Sequence, residues 1–131
     1  MQEVIVEDIP VMYVQSRSGI SGGVEAFGIL EGRFKTLKGR KFYGLYHNEV
    51  YKACTGVQPA DDPKALDLPV ASIPGGKYAR EKILDWPRHI HLIGPTFDRM
   101  MKEVGPRYDS GRPFIEFYRS QKELFLFVPI K

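Results

Sequence analysis

The sequence predicts an α+β fold: two copies of a β-α-β-β unit, forming an antiparallel sheet with two helices on one face. Three observations predict it. The stretch "DIPVMYVQS" (8–16) returns in outline as "SIPGGKYARE" (72–81), an Ile-Pro pair followed by a strand centred on tyrosine. Each of these strands is followed by apolar residues at helical spacing. Each helix is then followed by aromatic, strand-forming runs.

Taken in order, residues 3–6 and 11–17 read as strands. A helix is expected over 22–38, because Val24, Phe27, Leu30, Phe34 and Leu37 recur at three- and four-residue steps and share one face. Ser21 is placed to cap its start and Gly39 to stop it. Strands follow at 41–47 and 52–58. Residues 59–70, "PADDPKALDLPV", hold three prolines and three aspartates and read as the connector between the halves. The second half repeats the plan with a strand at 76–84 and a helix over 88–104. In that helix Ile90, Ile93, Phe97, Met100 and Val104 are expected on the buried side. Gly94-Pro95 disturbs its early turns, so its regular part is expected from Pro95, and Gly105-Pro106 ends it. Strands at 112–118 and 123–129 complete the sheet. Neither half can bury its helix well alone. Residues 1–131 are therefore expected to form one domain, with pseudo-repeats at about 1–58 and 70–131.

Bulk properties exclude several functions. The chain carries a net charge of only +3, and its basic residues never run beyond a pair such as Arg40-Lys41. No helix-turn-helix or zinc-finger pattern accompanies them, so direct nucleic-acid binding is not expected. The opening "MQEVIVEDIP" lacks the features of a signal peptide, and no run of about 18 apolar residues could span a membrane. Cys54 stands alone and reads as a small core residue of a cytoplasmic protein.

Three tempting motifs fail on context. "GISGG" (19–23) fits G-x-S-x-G, with Asp85 and His89 in suitable chain order, but a hydrolase of that type needs a large parallel sheet. "PGGKY" (74–78) lacks the first glycine and the Ser/Thr of a phosphate loop. His47, His89, His91 and Cys54 show no zinc spacing, so neither metal nor cofactor is expected.

The informative stretch is "PFIEFYRS" (113–120). With a period of two, Phe114, Glu116 and Tyr118 share one face of a strand, opposite Ile115 and Phe117. A carboxylate between aromatic rings suits an organic cation, since charge attracts it and ring faces add cation–π attraction of ~0.5–2 kcal/mol each. The competing reading is a cross-strand ion pair, or a side chain facing solvent. Tyr46 lies in the aromatic strand beyond Gly44, whose missing side chain leaves room for a ligand. Trp86, the single tryptophan, stands between the Tyr78 strand and the second helix. Both are candidates for contact with a ligand, whereas Tyr13 and Tyr78 read as structural.

Four stretches in series resemble the GyrI-like small-molecule-binding domain. They are "VMYVQSRSG" (11–19), "FYGLYHNEV" (42–50), "IPGGKYARE" (73–81), and "PFIEFY" (113–118) with the closing "LFVPIK" (126–131). That family includes the effector-binding halves of BmrR- and Rob-type multidrug regulators and the stand-alone gyrase inhibitory protein. The resemblance implies a concave pocket between sheet and helices, lined by Glu116 with Tyr118 at the family's spacing. It implies a stand-alone domain that binds small amphipathic molecules, lipophilic aromatic cations above all, with Glu116, Tyr118, Tyr46, Trp86 and Phe114 as ligand-binding residues. The regulators' DNA-binding module is not recognisable in the chain. Two alternatives follow from the same resemblance. One is hydrolysis of strained, cyclopropane-bearing electrophiles with Glu116 as general base. The other is a protein-interaction role like that of the gyrase inhibitor.

Overall fold

The computed structural model describes residues 1–131. Its strands are β1 (Gln2–Val6), β2 (Ile9–Gln15), β3 (Phe42–His47), β4 (Val50–Gly56), β5 (Val70–Ile73), β6 (Gly76–Leu84), β7 (Phe114–Tyr118) and β8 (Glu123–Pro129). They form one sheet in the order β1-β6-β8-β7-β3-β4-β2-β5, antiparallel at every pairing. Helix α1 (Gly23–Glu31) and helix α2 (Ile93–Val104) complete an α+β fold. The strand order is palindromic: β1-β6-β8-β7 from one edge matches β5-β2-β4-β3 from the other.

Two short links force this sheet to curl. Strands β1 and β2 stand first and seventh in the sheet, yet only Glu7-Asp8 joins them. Likewise only Pro74-Gly75 joins β5, in the eighth place, to β6 in the second. Three residue steps reach at most about 11 Å. Six strand spacings in a flat sheet would demand about 28 Å. The edges must therefore approach each other, and the two links cross where they do. There the Gly75 N–H donates to the Asp8 Oδ1 at 2.5 Å. A Cβ on Gly75 would stand 2.7 Å from the Val6 carbonyl oxygen, so only glycine fits the crossing.

The curl gives the sheet two different faces. Its inner face carries a core of Val11, Tyr43, Leu45, Cys54, Ile73, Tyr78, Ile115, Phe125 and Phe127. Tyr78 is fully buried with its hydroxyl donating to the Pro74 carbonyl, in keeping with the structural role expected of it. Burial pushes the Cys54 thiol up to about 12, which leaves it an unreactive core residue. The outer face carries the helices, α1 over β2 and β4 and α2 over β6 and β8.

Strand β5 was not legible in advance: the sequence reading runs the connector to residue 70, whereas Val70–Ile73 pairs with β2. Prolines at 69 and 74 bracket this short edge strand, a position where proline costs no ladder bond. Each β-α-β-β unit is thus preceded by a strand that pairs with the other half.

Both helices are shorter than the periodicity suggests. Helix α1 stops at Glu31, not at residue 38. The Arg33 and Phe34 N–H groups turn back to Leu30 and Glu31, and Phe34 packs onto the α1 cluster under the Arg40 guanidinium, 3.9 Å from its ring. A turn, not a further helical turn, thus completes the apolar stripe. Ala26 and Leu30 occupy the buried face, while Val24 is 90% exposed and Leu37 lies on the surface. Ser21 does not cap the helix; Gly22 holds that place and Ser21 donates to the Ser18 carbonyl. Helix α2 begins at Ile93, after two 3-10 turns at Trp86–Arg88 and Ile90–Leu92. Ile90 is 58% exposed as a result. Pro95 sits in the first turn, where its missing N–H has no helical partner to lose. Gly105, at a φ of +52°, ends the helix as expected. No helix is long and apolar enough to cross a membrane.

The crossing makes a direct prediction. Gly75→Ala should cost about 1–3 kcal/mol in urea unfolding, because the new methyl meets backbone that cannot move aside. A variant as stable as the parent would show that the links have slack.

Candidate functional site

Because α1 lies mainly over β2 and β4 and α2 mainly over β6 and β8, the two central strands, β3 and β7, lie between the helices, which reach β7 through Phe27 on Tyr118 and Phe97 on Phe114. These strands form the floor of the groove expected between the helices. Alternation along β7 aims Phe114, Glu116 and Tyr118 into it, and their register partners on β3 are Tyr46, Gly44 and Phe42.

Glu116 lies at the middle of this floor, half-buried. One carboxylate oxygen, Oε1, accepts from the Tyr51 hydroxyl at 2.6 Å and from the Tyr118 hydroxyl at 2.8 Å. The Tyr51 bond reaches over β3 from β4, which is possible because Gly44 lies beneath it. A Cβ at that position would run into both the Tyr51 hydroxyl and the Glu116 carboxyl. None of the ion pairs in the molecule involves Glu116. Its second oxygen, Oε2, accepts no hydrogen bond from the protein and is not sealed from solvent. The cross-strand ion pair considered from sequence is therefore absent.

Burial raises the proton affinity of Glu116 above that of an ordinary glutamate, against the opposing pull of the two tyrosine hydrogen bonds. The Tyr51 and Tyr118 hydroxyls are also pushed upward, by burial first and by the neighbouring carboxylate second. Both remain donors across the physiological range.

Aromatic rings wall the carboxyl. Phe27 of α1 meets Tyr118 edge-on at 5.6 Å and Tyr51 at 6.3 Å. On the other side Trp86 packs on Tyr118 at 4.9 Å, its indole N–H anchored to the Ser120 carbonyl at 2.7 Å. Phe114 lies further along the floor among Phe97, Tyr108 and Tyr46, at 5.4, 5.6 and 6.5 Å. The structure thus brings Tyr118 to Glu116 and packs Trp86 on Tyr118. It places Phe114 and Tyr46 in an adjoining aromatic cluster at one end of the groove. Tyr51 and Phe27 are the site residues that the sequence reading did not single out. The space over Gly44, read from the sequence as room for a ligand, is instead taken by the Tyr51 hydroxyl.

Two well-formed cavities lie elsewhere. One, of about 390 Å³, opens beside α1 between Tyr13, Ser16 and Arg33, and the other, also about 390 Å³, lies on the inner face of the sheet. Glu116 lines neither of them, so the concave pocket that the resemblance implies around it is not one of these two.

No family model matches the chain, and no curated protein matches it in sequence. Solved structures do match its fold. An integron cassette protein from the mobile metagenome of Vibrio cholerae is 16% identical at a TM-score of 0.71, over 99% of this chain and 95% of that one. SAV2435, in a structure bound to tetraphenylphosphonium, is 11% identical at a TM-score of 0.67, over 99% and 93%. A hydrolase from Listeria innocua is 12% identical at a TM-score of 0.56, over 99% and 90%. These chains share this fold. The match agrees with the α+β fold read from the sequence.

The raised proton affinity of Glu116 has a signed consequence for the free protein. The native state holds this proton more tightly than the unfolded chain does. The contribution is therefore full below the ordinary glutamate value of 4.5 and is lost as pH rises through the native value. Glu3, Asp61, Glu81, Asp109 and Glu123, all shifted downward, give the opposite slope, so the comparison must be with a variant. Glu116→Gln keeps an oxygen for both tyrosines and removes the charge. Its stability relative to wild type should rise as pH increases from 4 to 7 in parallel urea titrations. A gap that is constant or falls would contradict the assignment.

Proposed function

We propose that the chain binds small amphipathic molecules, cationic and aromatic, in the groove between α1 and α2, with Glu116 as the charge they meet. The observation that carries this reading is the carboxylate itself. It accepts from Tyr51 and Tyr118, whose rings pack on Phe27 and Trp86, it has no cationic partner in the protein, and its second oxygen accepts no hydrogen bond. A lipophilic cation would supply the missing charge, and ring faces would take its apolar body. The two tyrosine bonds fix the carboxylate before the ligand arrives, which lowers the ordering cost of binding. The fold shared with SAV2435, whose structure holds tetraphenylphosphonium, supports the same ligand class. Glu116, Tyr118 and Trp86 are assigned to direct contact. Phe114 and Tyr46 are assigned to the end of the groove, where a longer aromatic ligand would extend.

Calorimetry with tetraphenylphosphonium and with neutral triphenylphosphine oxide tests this. Glu116→Gln should weaken the cation by roughly 10- to 150-fold, the worth of one charge-assisted contact of ~1.5–3 kcal/mol, and leave the neutral ligand nearly unchanged. Equal losses for both would rule out recognition by charge.

The hydrolytic reading has one observation in its favour: burial makes Glu116 a stronger base than a solvated carboxylate, beside the hydroxyls of Tyr51 and Tyr118. It requires turnover of a cyclopropane-bearing electrophile that ceases in Glu116→Gln. Binding without turnover leaves the ligand-binding function alone.

A further inference from the structure

The inner face of the curled sheet holds a second cavity, separated from the groove by the sheet itself. Its volume is about 390 Å³, and 10 of its 12 lining residues are hydrophobic, among them Val4, Tyr43, Ile73, Phe117 and Phe125. That volume lies within the range of about 300–1,000 Å³ typical of small-ligand sites, and the mouth of a curled sheet is a usual place for one. Three rings on adjacent strands form its floor: Tyr43 stacks on Phe117 at 4.9 Å, and Phe117 on Phe125 at 6.2 Å.

Its charge is opposite to that of the groove. Arg80 and Arg119 are the two charged residues in the lining. The Arg80 guanidinium lies 4.9 Å from the Phe125 ring, and Lys82 and Lys41 stand over Phe125 and Phe117 at 5.5 and 6.0 Å. Among these four cations, Lys82 and Arg119 share one carboxylate, Glu123, at 3.0 and 3.5 Å. Arg80 and Lys41 pair with no carboxylate. Arg80 instead donates to the neutral Gln2 side chain at 2.6 Å. Four cations against one carboxylate leave a local excess of three positive charges beside an apolar hollow.

We propose that this cavity binds a small amphipathic anion, an aryl or alkyl carboxylate or sulfonate. Its head would meet Arg80 and Arg119, and its apolar body would lie on the Tyr43–Phe117–Phe125 stack. Arginine is suited to the head because its planar fork matches a carboxylate or sulfonate with two parallel bonds. A second copy of this chain would bring like charge against like. The site does not depend on the helix-side reading, and the two faces would then select ligands of opposite charge.

The test uses 8-anilinonaphthalene-1-sulfonate, with uncharged N-phenyl-1-naphthylamine as its neutral counterpart, on the full chain. The sulfonate should bind once per chain and should not be displaced by saturating tetraphenylphosphonium. Arg80→Gln should weaken the sulfonate by roughly 10-fold or more and the amine by less than about threefold, since a charge-assisted contact is lost and the apolar body is untouched. Arg80→Lys should restore most of the sulfonate affinity. Circular dichroism and sedimentation of each variant report folding and oligomeric state. Equal losses for sulfonate and amine, or no loss in the Arg80→Gln/Arg119→Gln double variant, would overturn the proposal. So would displacement by tetraphenylphosphonium. A dimer that binds no sulfonate and dissociates on Arg80→Gln would assign the face to a second copy and overturn it equally.

Discussion

The crossing of two two-residue links, Glu7-Asp8 and Pro74-Gly75, is the constraint on which the rest of the structure depends. It joins strands at opposite ends of an eight-stranded sheet, which only a strong curl permits. The curl gathers one core on the inner face and leaves the helices on the convex side. Helices seated over different strands of a convex surface leave the central strands β3 and β7 between them. The groove and its glutamate are consequences of how the chain gets from β1 to β2 and from β5 to β6.

Within that groove the energetics are unbalanced by design of the residues themselves. Taking a carboxylate partly out of water costs several kcal/mol when nothing compensates it. Two hydroxyl donors return ~1.5–3 kcal/mol each, and the upward shift of Glu116 shows that burial still prevails. A lysine or arginine in the register-opposite position would have closed the balance. That position is Gly44, which offers neither a charge nor a side chain and instead admits the Tyr51 hydroxyl. The protein thus holds a fixed, under-compensated charge against aromatic walls, and a cationic ligand is the partner that completes it. Asp61, another carboxylate of low exposure, is by contrast paired with the Arg40 guanidinium.

Much of this was legible in the sequence, and the omissions have physical causes. Strict alternation across 114–118 placed Glu116 and Tyr118 on one face, because a strand has no other choice. Strands 76–84 and 123–129 were read to the residue from their unbroken runs. Helix α1 was overextended because Phe34 and Leu37 keep helical spacing, although a tight turn can place Phe34 on the same cluster. Strand β5 hid between prolines. Tyr51 was missed for a different reason: its contact with Glu116 depends on the register between β3, β4 and β7, and a single chain does not display register. Tyr46 illustrates the same point in reverse, since its place in an aromatic run suggested the site but pairing sets it opposite Phe114.

Site-resolved titration of the Glu116 carboxyl by carbon-13 NMR tests the central claim most directly. In the free protein its midpoint should lie above the ordinary glutamate value of 4.5. Saturation with tetraphenylphosphonium should move it downward, because a bound cation favours the ionised form. A midpoint at or below the ordinary value in the free protein, or one that the cation leaves unmoved, would contradict an under-compensated carboxylate waiting for its charge partner.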